Sequence, residues 1–170
     1  MSEGDDQRGL SGGQRVPGRV AGRVLGLDVG SRTIGVAVTD ELGVCAHALK
    51  TLARKGTQAD VLQVAQIAKT YETKNLVIGI PYDLEGNEGQ RAKRVRVFAD
   101  ALLAAGFAIE IEDERYSTVE AERHMLKADL SRARRKELID SQAAQVILTS
   151  WLARREAEAA EAEVTSRSEV

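Results

Sequence analysis

Leu25-Gly26-Leu27-Asp28-Val29-Gly30-Ser31-Arg32-Thr33-Ile34-Gly35-Val36-Ala37-Val38-Thr39-Asp40 is the stretch whose reading decides the fold. Val24 to Leu27 reads as a short strand, Gly30-Ser31-Arg32 as a tight turn, and the β-branched run Thr33 to Thr39 as a second strand. Side chains alternate across a strand, so Leu25, Leu27 and Val29 take one face while Val24, Gly26 and Asp28 take the other. Asp28 therefore leaves a packed sheet face near the carboxyl end of what should be a central strand. A carboxylate in such a place is costly unless something pairs with it. Asp28 is thus a candidate functional acid, with a carboxylate that merely accepts turn hydrogen bonds beside Gly30 as the plainer alternative.

Working outward, Leu42 to Thr51 reads as an edge strand after the Asp40-Glu41 turn, which completes an antiparallel meander. Val61, Val64, Ala65 and Ala68 then fall at helical spacing on a helix from about Thr57 to Thr73. Leu76-Val77-Ile78-Gly79-Ile80 is apolar on both faces and stops at Pro81, as a central strand covered on both sides would. Val95, Phe98, Ala99 and Leu102 form the stripe of a second helix, with Gly106 just past its end. Phe107 to Glu112 reads as a fifth strand. Ser117 caps a helix to about Lys127, and a last helix runs from about Lys136 to Glu156. This order predicts a single α/β domain of the ribonuclease-H-like type, a mixed five-stranded sheet flanked by helices. Residues 1–22 read as a disordered tail, 23–156 as the folded domain and 157–170 as a frayed, disordered tail.

With 170 residues the chain can bury a core without disulfides. Its single cysteine, Cys45, excludes an internal disulfide and a cysteine-based zinc site. Cys45 reads as a half-buried strand residue near a sheet edge, where an intermolecular disulfide is the sharper alternative. The two histidines, His47 and His124, show no ligand spacing. No run approaches the roughly 20 apolar residues that span a bilayer, and no signal-peptide core opens the chain, so a cytoplasmic location is expected. The net charge is −2, yet between Arg23 and Arg155 there are 20 Lys and Arg against 18 Asp and Glu. The acidic excess sits in the tails, which permits a phosphate-rich partner.

Two further acids join Asp28. On the last helix, Asp140, Ala144, Ile147, Leu148 and Trp151 share one face, and apart from Asp140 it is the apolar stripe. Asp140 either points inward for function or stands early in the helix because the dipole favours a negative charge there. The fifth strand ends in Asp113-Glu114-Arg115. Strand alternation cannot choose between Asp113 and Glu114, and an ordinary acidic edge strand, with Glu110 and Glu112 alternating as solvent-facing residues, is the alternative to a functional acid. Arg115 could bind a phosphate or tether one of these acids. Three such acids, apart in sequence, suggest a divalent-metal site. Basic residues cluster at Arg91, Lys93, Arg94 and Arg96, and again at Arg132, Arg134, Arg135 and Lys136 in a Ser/Arg-rich loop before Asp140. The second cluster suits a phosphodiester substrate, although helix surfaces carry such runs routinely. No P-loop or dinucleotide fingerprint is present.

LGLDVGSRTIGVAVTD, NLVIGIPYDLEGNEGQ, EIEDERYSTVEA and IDSQAAQVIL, in that order, resemble the YqgF family, also called RuvX. Its members are bacterial ribonuclease-H-like proteins described as Holliday junction resolvases and as pre-16S ribosomal RNA nucleases. The resemblance covers about Arg23 to Leu152. It implies that Asp28, Glu114 (with Asp113 as the other choice) and Asp140 are the catalytic and metal-holding acids of an endonuclease that uses Mg²⁺ or Mn²⁺. Arg115 and Arg132, Arg134, Arg135 and Lys136 would hold the substrate backbone. The implied partner is nucleic acid, four-way junction DNA or precursor rRNA, recognised by structure, with a homodimer expected of a resolvase. The family's loop after the central strand usually reads Pro-Leu-x-x-Asp-Gly, whereas here it is Pro81-Tyr82-Asp83-Leu84-Glu85-Gly86, which leaves the role of Glu85 open. Two rivals remain: a catalytically silent nucleic-acid-binding domain, and a fragment of an actin-like or sugar-kinase-type ATP-binding fold, which the Asp28–Thr33 segment resembles.

Overall fold

A computed structural model of the chain describes residues 22–116 and 132–168, with the backbone alone for 116, 132–138 and 168. Five strands form one sheet: β1 (Leu25–Val29), β2 (Thr33–Thr39), β3 (Ala46–Ala53), β4 (Asn75–Ile80) and β5 (Ala108–Asp113). Their order across the sheet is β3-β2-β1-β4-β5. The first three make the antiparallel meander, and β1, β4 and β5 run parallel. The parallel strands need crossover helices; α1 (Thr57–Thr70) and α2 (Gln90–Ala104) provide the packing on one face. The last helix, α3 (Arg132–Ser168), covers the other face. This is the mixed, helix-flanked sheet that the sequence predicts. The helix expected from Ser117 to about Lys127, the tail before residue 22 and His124 lie outside the described residues.

Alternation in β1 sorts the core into two clusters. Leu25, Leu27 and Val29 join Val64, Ile67, Phe98 and Leu102 of α1 and α2. Val24 joins Ala144, Ile147, Leu148 and Trp151 of α3. The α1, α2 and α3 stripes read from spacing are therefore the faces that pack.

Three local expectations need correction. β3 begins at Ala46 rather than Leu42. The Asp40 amide donates to the Cys45 carbonyl (2.9 Å) and the Val44 amide to Asp40 Oδ1 (2.8 Å), so residues 40–45 are consumed by the turn. Cys45 is consequently exposed rather than half-buried in a strand. Second, α3 starts at Arg132 and runs to Ser168, not from Lys136 to Glu156. Alanine and glutamate favour the helix intrinsically, and an i,i+4 pair, Arg154–Glu158 (2.8 Å), lies past the packed stripe. Third, Glu110 and Glu112 are not a solvent-facing alternation. They face α3, where Trp151 Nε1 donates to Glu110 (2.9 Å) and Ser150 and Arg154 donate to buried Glu112 (3.0 and 3.1 Å). Among the described residues no helix is long and apolar enough to cross a membrane.

Candidate active site

Because β1, β4 and β5 are parallel, their carboxyl ends lie at one end of the sheet, where open α/β sheets place ligands. β1 brings Asp28 there, and Glu114 follows β5 in a short 3-10 turn (Glu114–Tyr116). Asp28 stands opposite Gly35 of β2. On its other side Leu27 pairs with Ile78, so Asp28 comes level with Gly79 of β4. A glycine on each side leaves a floor without side chains around the acid. α3 occupies that space: a Cβ at Gly35 would collide with the Asp140 carbonyl, and one at Gly79 would collide with the Glu114 carboxylate and Ile147. The glycines are what let Asp140 and Glu114 approach Asp28.

The electrostatics are those of acids held close in a poorly solvated place. Asp28 is pushed up to about 6, chiefly by burial and further by Asp140, with the Arg91 guanidinium opposing. Glu114 is pushed up to about 7, again chiefly by burial, then by the Asp28 charge, with Arg91 opposing and Asp113 adding. Asp140 thus acts on Asp28, and Asp28 on Glu114. Among the described residues Arg91 is the cation paired with Asp28, 4.0 Å away and itself largely exposed. Thr33, at the start of β2, donates its hydroxyl to Asp140 Oδ2 at 2.6 Å. This Thr33 contact and the Arg91 contact were not singled out from sequence. Arg91 was visible only as one charge in a helical run, and Thr33 only as a β-branched strand residue.

Asp113 behaves differently from Glu114. Arg115 Nε donates to Asp113 Oδ2 (2.8 Å) and the Arg115 amide to Oδ1 (3.0 Å), which holds the Asp113 carboxyl below the ordinary range. Arg115 also lies 5.9 Å from the Tyr82 ring centroid. Of the two roles open to Arg115, the tether is the one this geometry displays. Asp140 lies more than two turns into α3, beyond the reach of the helix dipole. Its inward placement over Gly35 accounts for the position instead. The backbone of Arg132, Arg134, Arg135 and Lys136 forms the opening of α3 rather than a loop, and their side chains lie outside the described ones. Glu85 sits exposed in the β4–α2 loop, accepting from Asn87 Nδ2 at 3.4 Å.

The donor set here is entirely carboxylate oxygen, which matches hard divalent cations and not softer metals. Two of the acids are destabilised as anions by burial and by each other, a cost that a cation would relieve. Among the described residues no group of three acids or other ligands forms a ready-made metal cluster. Mg²⁺ does not require one, since it commonly takes one or two carboxylates plus substrate and water oxygens.

Comparison with known proteins agrees with this architecture. Residues 22–154 match the model of a family described as "RuvX: Holliday junction resolvase". A Myxococcus xanthus protein named "Putative pre-16S rRNA nuclease" is 48% identical over 131 residues, covering 76% of this chain and 87% of that protein. A Symbiobacterium thermophilum protein of the same name is 45% identical over 131 residues, covering 76% of this chain and 91% of its own. Among solved structures, T. thermophilus RuvC in complex with Holliday junction substrate aligns with a TM-score of 0.53 and 15% identity, over 81% of this chain and 97% of that one, a likeness of fold. With the family model spanning nearly all of the sheet and most of α3, this chain belongs to the RuvX family.

Proposed function

We propose that this chain is a divalent-metal-dependent endonuclease that hydrolyses phosphodiester bonds in structured nucleic acid, with Asp28, Glu114 and Asp140 as its working acids. One observation carries the reading: acids from three separate elements lie within electrostatic reach in turn, Asp140 acting on Asp28 and Asp28 on Glu114, beside the glycines that admit them. Family membership and the nuclease names of the relatives support the same reaction class.

Asp28, Glu114 and Asp140 would hold Mg²⁺ or Mn²⁺, which when bound polarises the phosphate and makes the attacking water more acidic. Asp28, on the central strand, would be the central acid of that set. Asp28 and Glu114 must first lose their protons, so working occupancy rises with pH through about 6 to 7. Thr33 holds Asp140 Oδ2 and thereby fixes which oxygen faces the site. Arg115 keeps Asp113 out of the ligand set by pairing with it.

The substrate is recognised by shape and backbone, because the described elements offer no base-reading helix in a groove-sized projection. Both junction DNA, from the family description, and pre-16S rRNA, from the relatives' names, fit that mode. Action on a junction calls for a homodimer, since two strands are cut symmetrically; action on pre-rRNA places the chain in the cytoplasm. The test compares wild type with Asp28→Asn on four-way DNA junctions and on precursor 16S rRNA, with and without Mg²⁺. Metal-independent cleavage, or full activity in Asp28→Asn, would overturn the assignment.

A further inference from the structure

A cavity of ≈ 520 Å³ opens beside the β1–β2 turn, between that turn and the first turns of α2. Every charged residue in its described lining is an arginine: Arg32, Arg54, Arg91 and Arg94. Arg54 is a fixed wall. Its Nε pairs with buried Asp60 at 2.9 Å, a terminal nitrogen donates to the Gly30 carbonyl at 3.1 Å, and its guanidinium lies 5.4 Å from the Phe98 centroid. Arg91 reaches from the cavity to Asp28. Arg32 and Arg94 are exposed, and among the described residues neither pairs with a carboxylate.

The helix behind these charges is built the wrong way round for a free surface. α2 starts at Gly89 without a side-chain cap, and its first turn holds no acid. Arg91, Lys93 and Arg94 instead crowd the end where the helix dipole is already positive. Helix starts ordinarily carry Ser, Thr, Asp or Asn as caps and acids in the first turn. The arrangement becomes favourable once an anion sits among the arginines and the unsatisfied amides.

We propose that this cavity is a phosphate subsite, holding a phosphate of the nucleic-acid strand adjacent to the one cut at Asp28, with Arg32 and Arg94 as the gripping cations. The inference rests on the nuclease reading above and adds a defined second contact to it. Arg91 links subsite and acids, so one strand crossing the carboxyl ends of the sheet meets both. A strand backbone is favoured over a free nucleotide because the described lining holds no aromatic side chain on which a base could stack.

The test uses full-length Arg32→Ala/Arg94→Ala, with Arg32→Lys/Arg94→Lys as the charge-conserving control, each in an Asp28→Asn background. Fluorescence anisotropy with a four-way DNA junction and with a structured pre-16S rRNA fragment is recorded over a salt series. Losing two phosphate contacts should flatten the slope of log K against log salt by about 1.4–1.8 on at least one probe, and the lysine pair should retain most of the slope. Adenosine 5′-monophosphate should bind no more tightly than the millimolar range. An unchanged slope on both probes in the alanine pair overturns the subsite. Micromolar, arginine-dependent binding of the mononucleotide also overturns it and points to a nucleotide pocket. Cleavage is scored separately: if Asp28→Asn still cuts while the slope falls, the assignment of the acids fails and the subsite stands. An inert Asp28→Asn with an unchanged slope gives the converse.

Discussion

The two faces of the sheet are built to opposite specifications. Against α1 and α2 the strands present Leu25, Leu27, Ile34, Val36, Leu76, Ile78 and Ile80, large side chains that hold the helices at a distance. Against α3 they present Gly26, Gly35, Ala37 and Gly79, and the helix backbone itself comes down onto the sheet. The first face is a dispersion-packed core that any similar set of apolar residues would fill. The second exchanges side-chain volume for proximity, bringing acids from β1, α3 and the end of β5 within electrostatic reach, Asp140 of Asp28 and Asp28 of Glu114. It also carries buried polar contacts, Glu112 with Ser150 and Arg154 and Asp140 with Thr33, whereas the first face holds the buried Asp60–Arg54 pair. Stability belongs mainly to the one face and the candidate acids to the other.

Separation of those roles can be broken most sharply at Glu114 and Asp113. Glu114→Gln should cut the cleavage rate at least about 1,000-fold, the several kcal/mol a metal-held acid contributes. Asp113→Asn, which removes a partner of Arg115 and not a facing acid, should cost less than about tenfold on the same scale. Single-turnover rates on one substrate decide it, and equal losses would show that the pair cannot be told apart by geometry.

On the opposite face Phe98→Ala should lower unfolding stability by about 3–5 kcal/mol. In denaturant titration that loss should appear while the rate of the folded enzyme and its pH profile stay unchanged. Gly35→Ala, a single methyl on the α3 face, should cost about 1–3 kcal/mol or more, because the atom it meets is helix backbone and cannot swing aside. Unlike Phe98→Ala it should also reduce cleavage by displacing Asp140. Thr33→Val should slow cleavage about 10-fold, as loss of a ligand-orienting hydrogen bond does, with Thr33→Ser restoring most of it.

The smallest effect is on pH. Asp28 and Glu114 have folded-state values above their unfolded ones, so the folded protein holds their protons longer. The unfolded chain binds fewer protons than the native state in the window from about 4 to about 7, and stability falls as pH rises through it. In metal-free buffer the melting temperature should therefore decline from pH 4 to pH 8 by a smaller amount in Asp28→Asn than in wild type. Identical slopes would mean that Asp28 is solvated like an ordinary surface acid.

Much of this was legible in the order of residues. The alternation of Leu25, Leu27 and Val29 against Val24, Gly26 and Asp28 places Asp28 on the correct face before any coordinates. The stripe Ala144, Ile147, Leu148 and Trp151 aims Asp140 inward, because a helix of fixed period has only one face to bury. The misread parts depend on distant partners. Glu110 and Glu112 look solvent-facing by pattern, and only Trp151, Arg154 and Arg155, some forty positions on, engage them, burying Glu112 and leaving Glu110 at the exposed rim. The start of β3 was misplaced because the Asp40 side chain captures the turn.

Periodicity and strand alternation, which are local, determined the element order, the two faces and the candidates Asp28 and Asp140. The separation of Glu114 from Asp113 awaited the fold, since the last residues of a strand are free to turn either way until Arg115 binds one of them. The convergence of the acids was also a tertiary outcome. It depends on how closely α3 can lie on the sheet, and that distance is set by glycines on three strands, Gly35 and Gly79 flanking Asp28 and Gly26 two residues before it, which share one face only after β2, β1 and β4 have paired.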